Sequence, residues 1–191
     1  MKLPLLLVLT VLLNACSGQQ SPSSIDPYIT LRQAVLLKSQ GDLGASEKMT
    51  QEAISLFLEQ GYIFGQSEAF FFLGDLYKGQ IKWEHAYNDD FLIKSLPQFQ
   101  LSKEGFESIG EKIQASKSAL EIATLLWAKG NALESCNAAK DSWELYKTGD
   151  GNHNDFAVLV SGHKTAEDFI KWNIDNFCIN NTPIVTNNDK I

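Results

Sequence analysis

The sequence predicts an all-α chain built as a stack of helical hairpins, and three observations carry that prediction. Between residues 27 and 178 the apolar residues recur at helical spacing in almost every segment, without the strict alternation of a half-buried strand. Glycines stand where those segments stop, at Gly41, Gly61 and Gly130. One hairpin has a second copy. Laying residues 34–57 over 123–146 sets Ala34 on Ala123, Leu36 and Leu37 on Leu125 and Leu126, Gly41 on Gly130, Asp42 on Asn131 and Ser46 on Ser135. Leu56 and Phe57 fall on Leu145 and Tyr146. A hairpin of this kind cannot bury both faces alone, so an array is expected.

The first helix is read in ITLRQAVLLKSQGD, where Leu31, Ala34 and Leu37 share a face before Gly41 ends the pattern. In ASEKMTQEAISLFLEQG, Met49, Ala53, Leu56 and Phe57 form the stripe of a second helix that ends at Gly61. The next hairpin opens with SEAFFFLGDLY. Three consecutive phenylalanines, Phe70 to Phe72, cannot share one helical face, so this helix must be wrapped by neighbours and is expected at the centre. Pro97 is expected to end that hairpin. From Ser102, read as a cap, to Gly130 the chain is one long helix or two. Residues 148–155, TGDGNHND, are a loop, and Phe156 to Val160 are a short apolar piece. Thr165 with Asp168 resembles a capping box, and the helix after it carries Phe169, Ile170, Trp172, Ile174 and Phe177 as far as Cys178.

Phe70, Leu73, Gly74, Tyr77 and Ala86 match the spacing of the tetratricopeptide repeat, with Ala86 as the small residue at the close helix crossing. The chain also resembles the Sel1-like repeat, with Ala69 four residues before Leu73-Gly74 and Glu59 to Gly61 supplying its EQG. The resemblance covers residues 27–149 and implies an irregular tetratricopeptide-like stack, an α-α superhelix. Asp90 stands where a bulky residue is expected, the spacer 61–66 is extra, and the period is uneven. In such families a partner segment lies along the concave face, gripped by the first helix of each hairpin. On that pattern Tyr77, Lys78 and Lys82 are the candidate contact residues.

The amino terminus carries a different signal. MKLPLLLVLTV has one lysine and then an apolar run shorter than the ~20 residues a membrane-spanning helix requires, as in a signal sequence. Leu13, Asn14 and Ala15 lead directly into Cys16, which resembles the lipobox of bacterial lipoproteins. That resemblance implies removal of residues 1–15, covalent lipid on Cys16 and a membrane anchor made by acyl chains, with palmitate among them. In the lipoprotein family an Asp after the cysteine favours the inner membrane, so Ser17 at that position implies, on the resemblance, the outer membrane facing the periplasm. Residues 16–26 then form the lipidated cysteine and a polar tether, 27–178 the helical repeat domain, and 179–191 a flexible tail. With Cys16 acylated, Cys136 and Cys178 remain as an even pair. In an oxidising compartment a disulfide is expected, against the alternative of two buried thiols.

The chain has 191 residues, a length that suits one domain with a real core. Its formal charge of -7 speaks against a nucleic-acid partner and against adhesion to anionic lipid through a basic patch. Chemistry-bearing motifs are sparse. Asp150, Asn152 and Asn154 begin a calcium-loop pattern, but Asp155 replaces its glycine and Ser161 its bidentate glutamate. His85, His153 and His163 are scattered, and Asp89 and Asp90 point about 100° apart on a helix. No phosphate loop or nucleophile elbow is present, so neither catalysis, a resident metal nor a cofactor beyond the lipid is expected. The expected role is a non-catalytic scaffold or assembly factor that binds an envelope protein or peptide. The rival is a small-ligand carrier or envelope enzyme with Phe70 to Phe72, Trp83, Trp127 and Trp143 around an apolar pocket. A third reading is a sensor of envelope state acting through its disulfide.

Overall fold

The computed structural model describes residues 26–150 and 165–179. Residues 1–25, with the lipobox-like stretch and Cys16, residues 151–164, with Asn152, His153, Asn154, Asp155, the apolar piece Phe156 to Val160, Ser161 and His163, and residues 180–191 lie outside the described residues. The described residues form seven α-helices: α1 (Pro27–Ser39), α2 (Leu43–Glu59), α3 (Ile63–Lys78), α4 (Asp90–Ser108), α5 (Lys112–Ala128), α6 (Ala132–Thr148) and α7 (Ala166–Ile179). A 3-10 segment, Trp83–Asn88, interrupts the α3–α4 connection. Each helix packs on the next in sequence, and α1 also touches α3 and α5 touches α7. The protein is therefore a stack of helical hairpins, α1–α2, α3–α4 and α5–α6, closed by the single helix α7.

Four of the turns share one construction. Gly41, Gly61, Gly110 and Gly130 all have positive φ, between 65° and 86°, which glycine adopts without the clash a Cβ would bring. At each, the following N–H reaches back five residues: Asp42 to the Leu37 carbonyl at 3.0 Å, and Tyr62 to Phe57, Glu111 to Phe106 and Asn131 to Leu126 at 2.9 Å each. With the glycine N–H bonded three residues back, this is the Schellman closure of a helix. The stretch from Ser102 to Gly130 is thus two helices, broken at Gly110.

The hairpins close on serines. Ser46 Oγ donates to the Ala34 carbonyl at 2.8 Å, and Ser135 Oγ donates to the Ala123 carbonyl at 2.7 Å, each pair 12 positions apart. These are the residues that the internal repeat superimposes. In the middle hairpin the equivalent bond runs from Ser95 Oγ to the Gly74 carbonyl at 2.7 Å, over 21 positions. Ala86 was expected at that crossing and does not occupy it. It lies in the 3-10 segment, buried with Ile81, Leu92, Phe99, Ile122 and Leu125. The inserted segment shifts the second helix along the chain, so the small residue that touches Gly74 is a later one. Asp89 fixes the insertion: Oδ2 accepts the Lys82 N–H at 2.9 Å and Oδ1 the Phe91 N–H at 2.8 Å, capping α4. These backbone bonds, that from Lys82 foremost, hold the Asp89 carboxyl below its ordinary value.

Two further expectations fail for a common reason. Pro97 does not end the hairpin but lies inside α4. It and Ile93, whose carbonyl loses its helical partner, are both on the exposed side of the helix, while Leu92, Ser95 and Phe99 bury the other side. Ser102 is no cap either. It is fully buried within α4, 3.0 Å from Ser118 Oγ of α5. Tertiary packing overrides both local signals.

Glycine substitutions separate packing from propensity. A Cβ on Gly65 would stand 2.3 Å from Cε1 of Phe57, a ring with 0% exposure, whereas one on Gly44 meets nothing within 4 Å. Urea unfolding of Gly65→Ala is expected to show a loss of about 2 kcal/mol. Gly44→Ala should gain about 0.5 kcal/mol.

Candidate functional site

The first helices of the hairpins, α1, α3 and α5, with α7 beyond them, lie side by side. Polar pairs join them across their faces. Lys38 of α1 pairs with Asp75 of α3, its Nζ also 5.3 Å from the centre of the Phe72 ring. Lys78 of α3 pairs with Glu121 of α5 at 2.5 Å. Lys38, Lys78 and Trp127 each follow the small crossing residue of their helix, Ala34, Gly74 or Ala123, by four positions, one helical turn. The series continues apolar at its end, where Trp127 meets Phe177 of α7 with ring centres 5.5 Å apart. All four charged side chains of these pairs remain a quarter to two fifths exposed, so they face solvent along the row.

A second rung lies nearer the amino-terminal ends of the same helices. Tyr28 Oη of α1 donates to Glu68 Oε2 of α3 at 3.0 Å, and Lys117 of α5 attracts the same carboxylate. Burial raises the Glu68 carboxyl above its ordinary value, against the lowering effects of the Tyr28 bond and Lys117. Burial likewise raises the Tyr28 hydroxyl, helped by Tyr62 and Glu68. Tyr28 also packs edge-on against Phe57 at 4.9 Å and against Tyr62 at 5.9 Å, which fixes the rung.

The three residues singled out from the repeat pattern do not converge. Tyr77 is a core residue, packed with Leu73 and Leu76, and its hydroxyl donates to Glu47 of α2 at 2.7 Å. Burial and Glu47 push it up to about 12. Lys78 is the strut to Glu121, and Lys82 lies exposed before the 3-10 segment. Motif spacing placed Tyr77 on a helix but could not reveal which side α2 would cover. Glu68, Asp75, Lys117 and Glu121 were missed, since a cross-helix pair leaves no signature within either helix.

The second helices have a polar contact of their own. Lys103 of α4 bridges Glu107 at 3.1 Å and Asp141 of α6 at 2.9 Å beside a shallow cleft of about 240 Å³ over Ala119 and Ile122. Burial works to lower Lys103, but Asp141 and Glu107 outweigh it and leave it raised.

The aromatic residues are spread through the core. Phe71 packs on Phe99, Phe72 in the α1–α3 contact, and Trp143 on Tyr146, under the ammonium groups of Lys147 and Lys171. Trp83 is exposed in the 3-10 segment. They do not gather around one pocket. Among the described residues no group of three His, Cys, Asp or Glu could hold a metal ion. No described helix is long and apolar enough to cross a membrane.

Cys136 and Cys178 stand with their sulfurs 2.12 Å apart, joining the start of α6 to the end of α7. Ile170 and Phe177 fill the neighbouring core against Ile113, Leu120, Ala123 and Ala139, so α7 is docked along its length. Thr165 Oγ1 accepts the Asp168 N–H at 3.1 Å and caps the helix as expected.

Two measurements probe these features. Cys136→Ser with Cys178→Ser is expected to lose about 3 kcal/mol in chemical unfolding, with hydrogen-exchange protection falling first in α7. For Glu68 the raised carboxyl means that its stabilising effect is fully present below the ordinary value of 4.5 and is lost as pH rises through the folded-state value. Glu68→Gln should therefore melt above the parent at neutral pH, with the gap closing as the pH falls below that value. A gap independent of pH would contradict the assignment.

No protein-family model matches the chain, and no curated protein is significantly similar to it.

Proposed function

We propose that this chain is an outer-membrane lipoprotein, acylated on Cys16, whose stacked hairpins act as a non-catalytic scaffold for a protein or peptide of the bacterial envelope. The observation that carries the reading is the row of half-buried cross-helix pairs, Lys38–Asp75 and Lys78–Glu121, with Tyr28–Glu68 beside them. Packing holds these groups in place while they stay within reach of solvent. That combination suits recognition of an extended segment by groups that are already ordered. Alternating charge along the row favours a partner segment that carries both signs. The lipobox resemblance supports the membrane address and the domain order of tether followed by stack. In that arrangement the lipid holds the scaffold at the membrane, and the partner approaches the row of first helices.

Photoreactive residues in place of Val35 and Thr124, on the row, and of Ile93 and Leu133, on second helices, test this in cells. Capture of one and the same envelope protein from both row positions, and from neither control, is expected. Equal capture at all four positions, or none on the row, would sink the scaffold reading and favour a small ligand. Cys16→Ala is expected to move the protein from the membrane to the soluble fraction.

A further inference from the structure

α1 is apolar on two sides. Thr30, Leu31 and Ala34 are buried toward α2 and α3, while Ile29 and Leu36 lie on the opposite side, 51% and 56% exposed. Seven residues apart, they share one stripe, and Arg32 and Gln33 stand exposed between them. No described helix packs on that side. In a chain with 23 acidic residues against 16 basic ones, α1 carries no acid at all, and Arg32 is the sole arginine. The acids that flank it are engaged as caps, Asp26 accepting the Tyr28 N–H and Asp42 the Ala45 N–H. Lys38 is turned away from the stripe toward Asp75. Two other strongly exposed leucines stand beside acids, Leu58 beside Glu59 and Leu133 beside Glu134.

We propose that this stripe rests on the phospholipid surface to which Cys16 tethers the chain, with Ile29 and Leu36 entering the interface and Arg32 beside lipid phosphates. The inference rests on the lipid attachment proposed above. Ten residues lead from Cys16 to Asp26 and reach at most about 35 Å, and they deliver the chain to the start of α1. Along the chain, this helix is therefore the first element after the anchor. A stripe of two aliphatic residues is too small to hold a protein on a bilayer from free solution. Tethered at high local concentration, it needs only to orient what the acyl chains already hold. The acidic remainder of the domain is repelled from anionic headgroups and points outward. Orientation, rather than attachment, is what the stripe supplies.

The test uses the chain from Cys16 onward, with Cys136–Cys178 oxidised and Cys16 coupled to a maleimide phospholipid in vesicles of phosphatidylethanolamine and phosphatidylglycerol. A photoreactive residue replaces Ile29, Leu36, Leu58 or Leu133 in turn. Lipid adducts at 29 and 36 are expected at five-fold or more the yield at 58 and 133. With the probe at Gln33, the pair Ile29→Glu and Leu36→Glu should reduce the yield to the control level, circular dichroism confirming that the helices persist. Equal yields at all positions overturn the proposal, as do adducts between two protein copies in place of lipid at 36. Because the anchor is imposed chemically, this result is independent of acylation in cells. The mass of the Cys16 peptide from a membrane fraction decides that separately.

Discussion

The stack depends on close helix crossings at which a serine hydroxyl of one helix meets a main-chain carbonyl of another. Ser46 on Ala34, Ser95 on Gly74 and Ser135 on Ala123 close the three hairpins in turn. Ser116 and Ser142 add a reciprocal pair between α5 and α6, each hydroxyl donating to the other's carbonyl, at 2.7 and 2.9 Å. Small residues on both sides let the backbones approach. The hydroxyls then have partners in a place that water does not reach, where an unmade bond would cost about 1–3 kcal/mol. Among the described residues no buried side-chain oxygen or nitrogen lacks a partner. Larger side chains here would separate the helices and remove the bond at the same time.

From these crossings the rest of the architecture follows. Close hairpins place successive first helices within side-chain reach of each other, and only then can Lys38 find Asp75 or Lys78 find Glu121. Ion pairs that solvent still reaches, as it does these half-buried ones, contribute little to stability. Their value lies in holding charged groups in a fixed row that faces solvent. The core beneath is divided into small clusters, each made by neighbouring helices of the stack. Stability in such a stack is local, so its ends need special treatment. At one end α7 covers Ile113 and Leu120 and is fastened through Cys136 and Cys178. At the other, α1 packs on α2 and α3, and among the described residues no helix covers its opposite side.

Much of the fold was legible because its signals are local. A glycine between two amphipathic segments marks the end of a helix, and Gly41, Gly61 and Gly130 stand at such ends in the sequence. The copy of residues 34–57 at 123–146 anticipated the shared Ser46 and Ser135 crossings, since equal spacing on two helices produces equal contacts. The middle hairpin was misread because its insertion preserved the spacing of a repeat up to Ala86 and then moved the true crossing to Ser95. Pro97 and Ser102 were misread as boundary signals, because their local tendencies are weaker than the burial of Leu92, Phe99 and Ser102 itself.

By itself, then, the sequence determined the helical class, the turns at Gly41, Gly61 and Gly130 and the first and last hairpins. Those properties depend on residues close together in the chain. Only the tertiary structure decided which polar side chains meet. Tyr28 with Glu68 and Lys78 with Glu121 lie 40 and 43 positions apart. Such pairs are set by how many residues each turn and insertion contains and by the angle at which helices cross. That information is distributed over the whole core, and no single motif carries it.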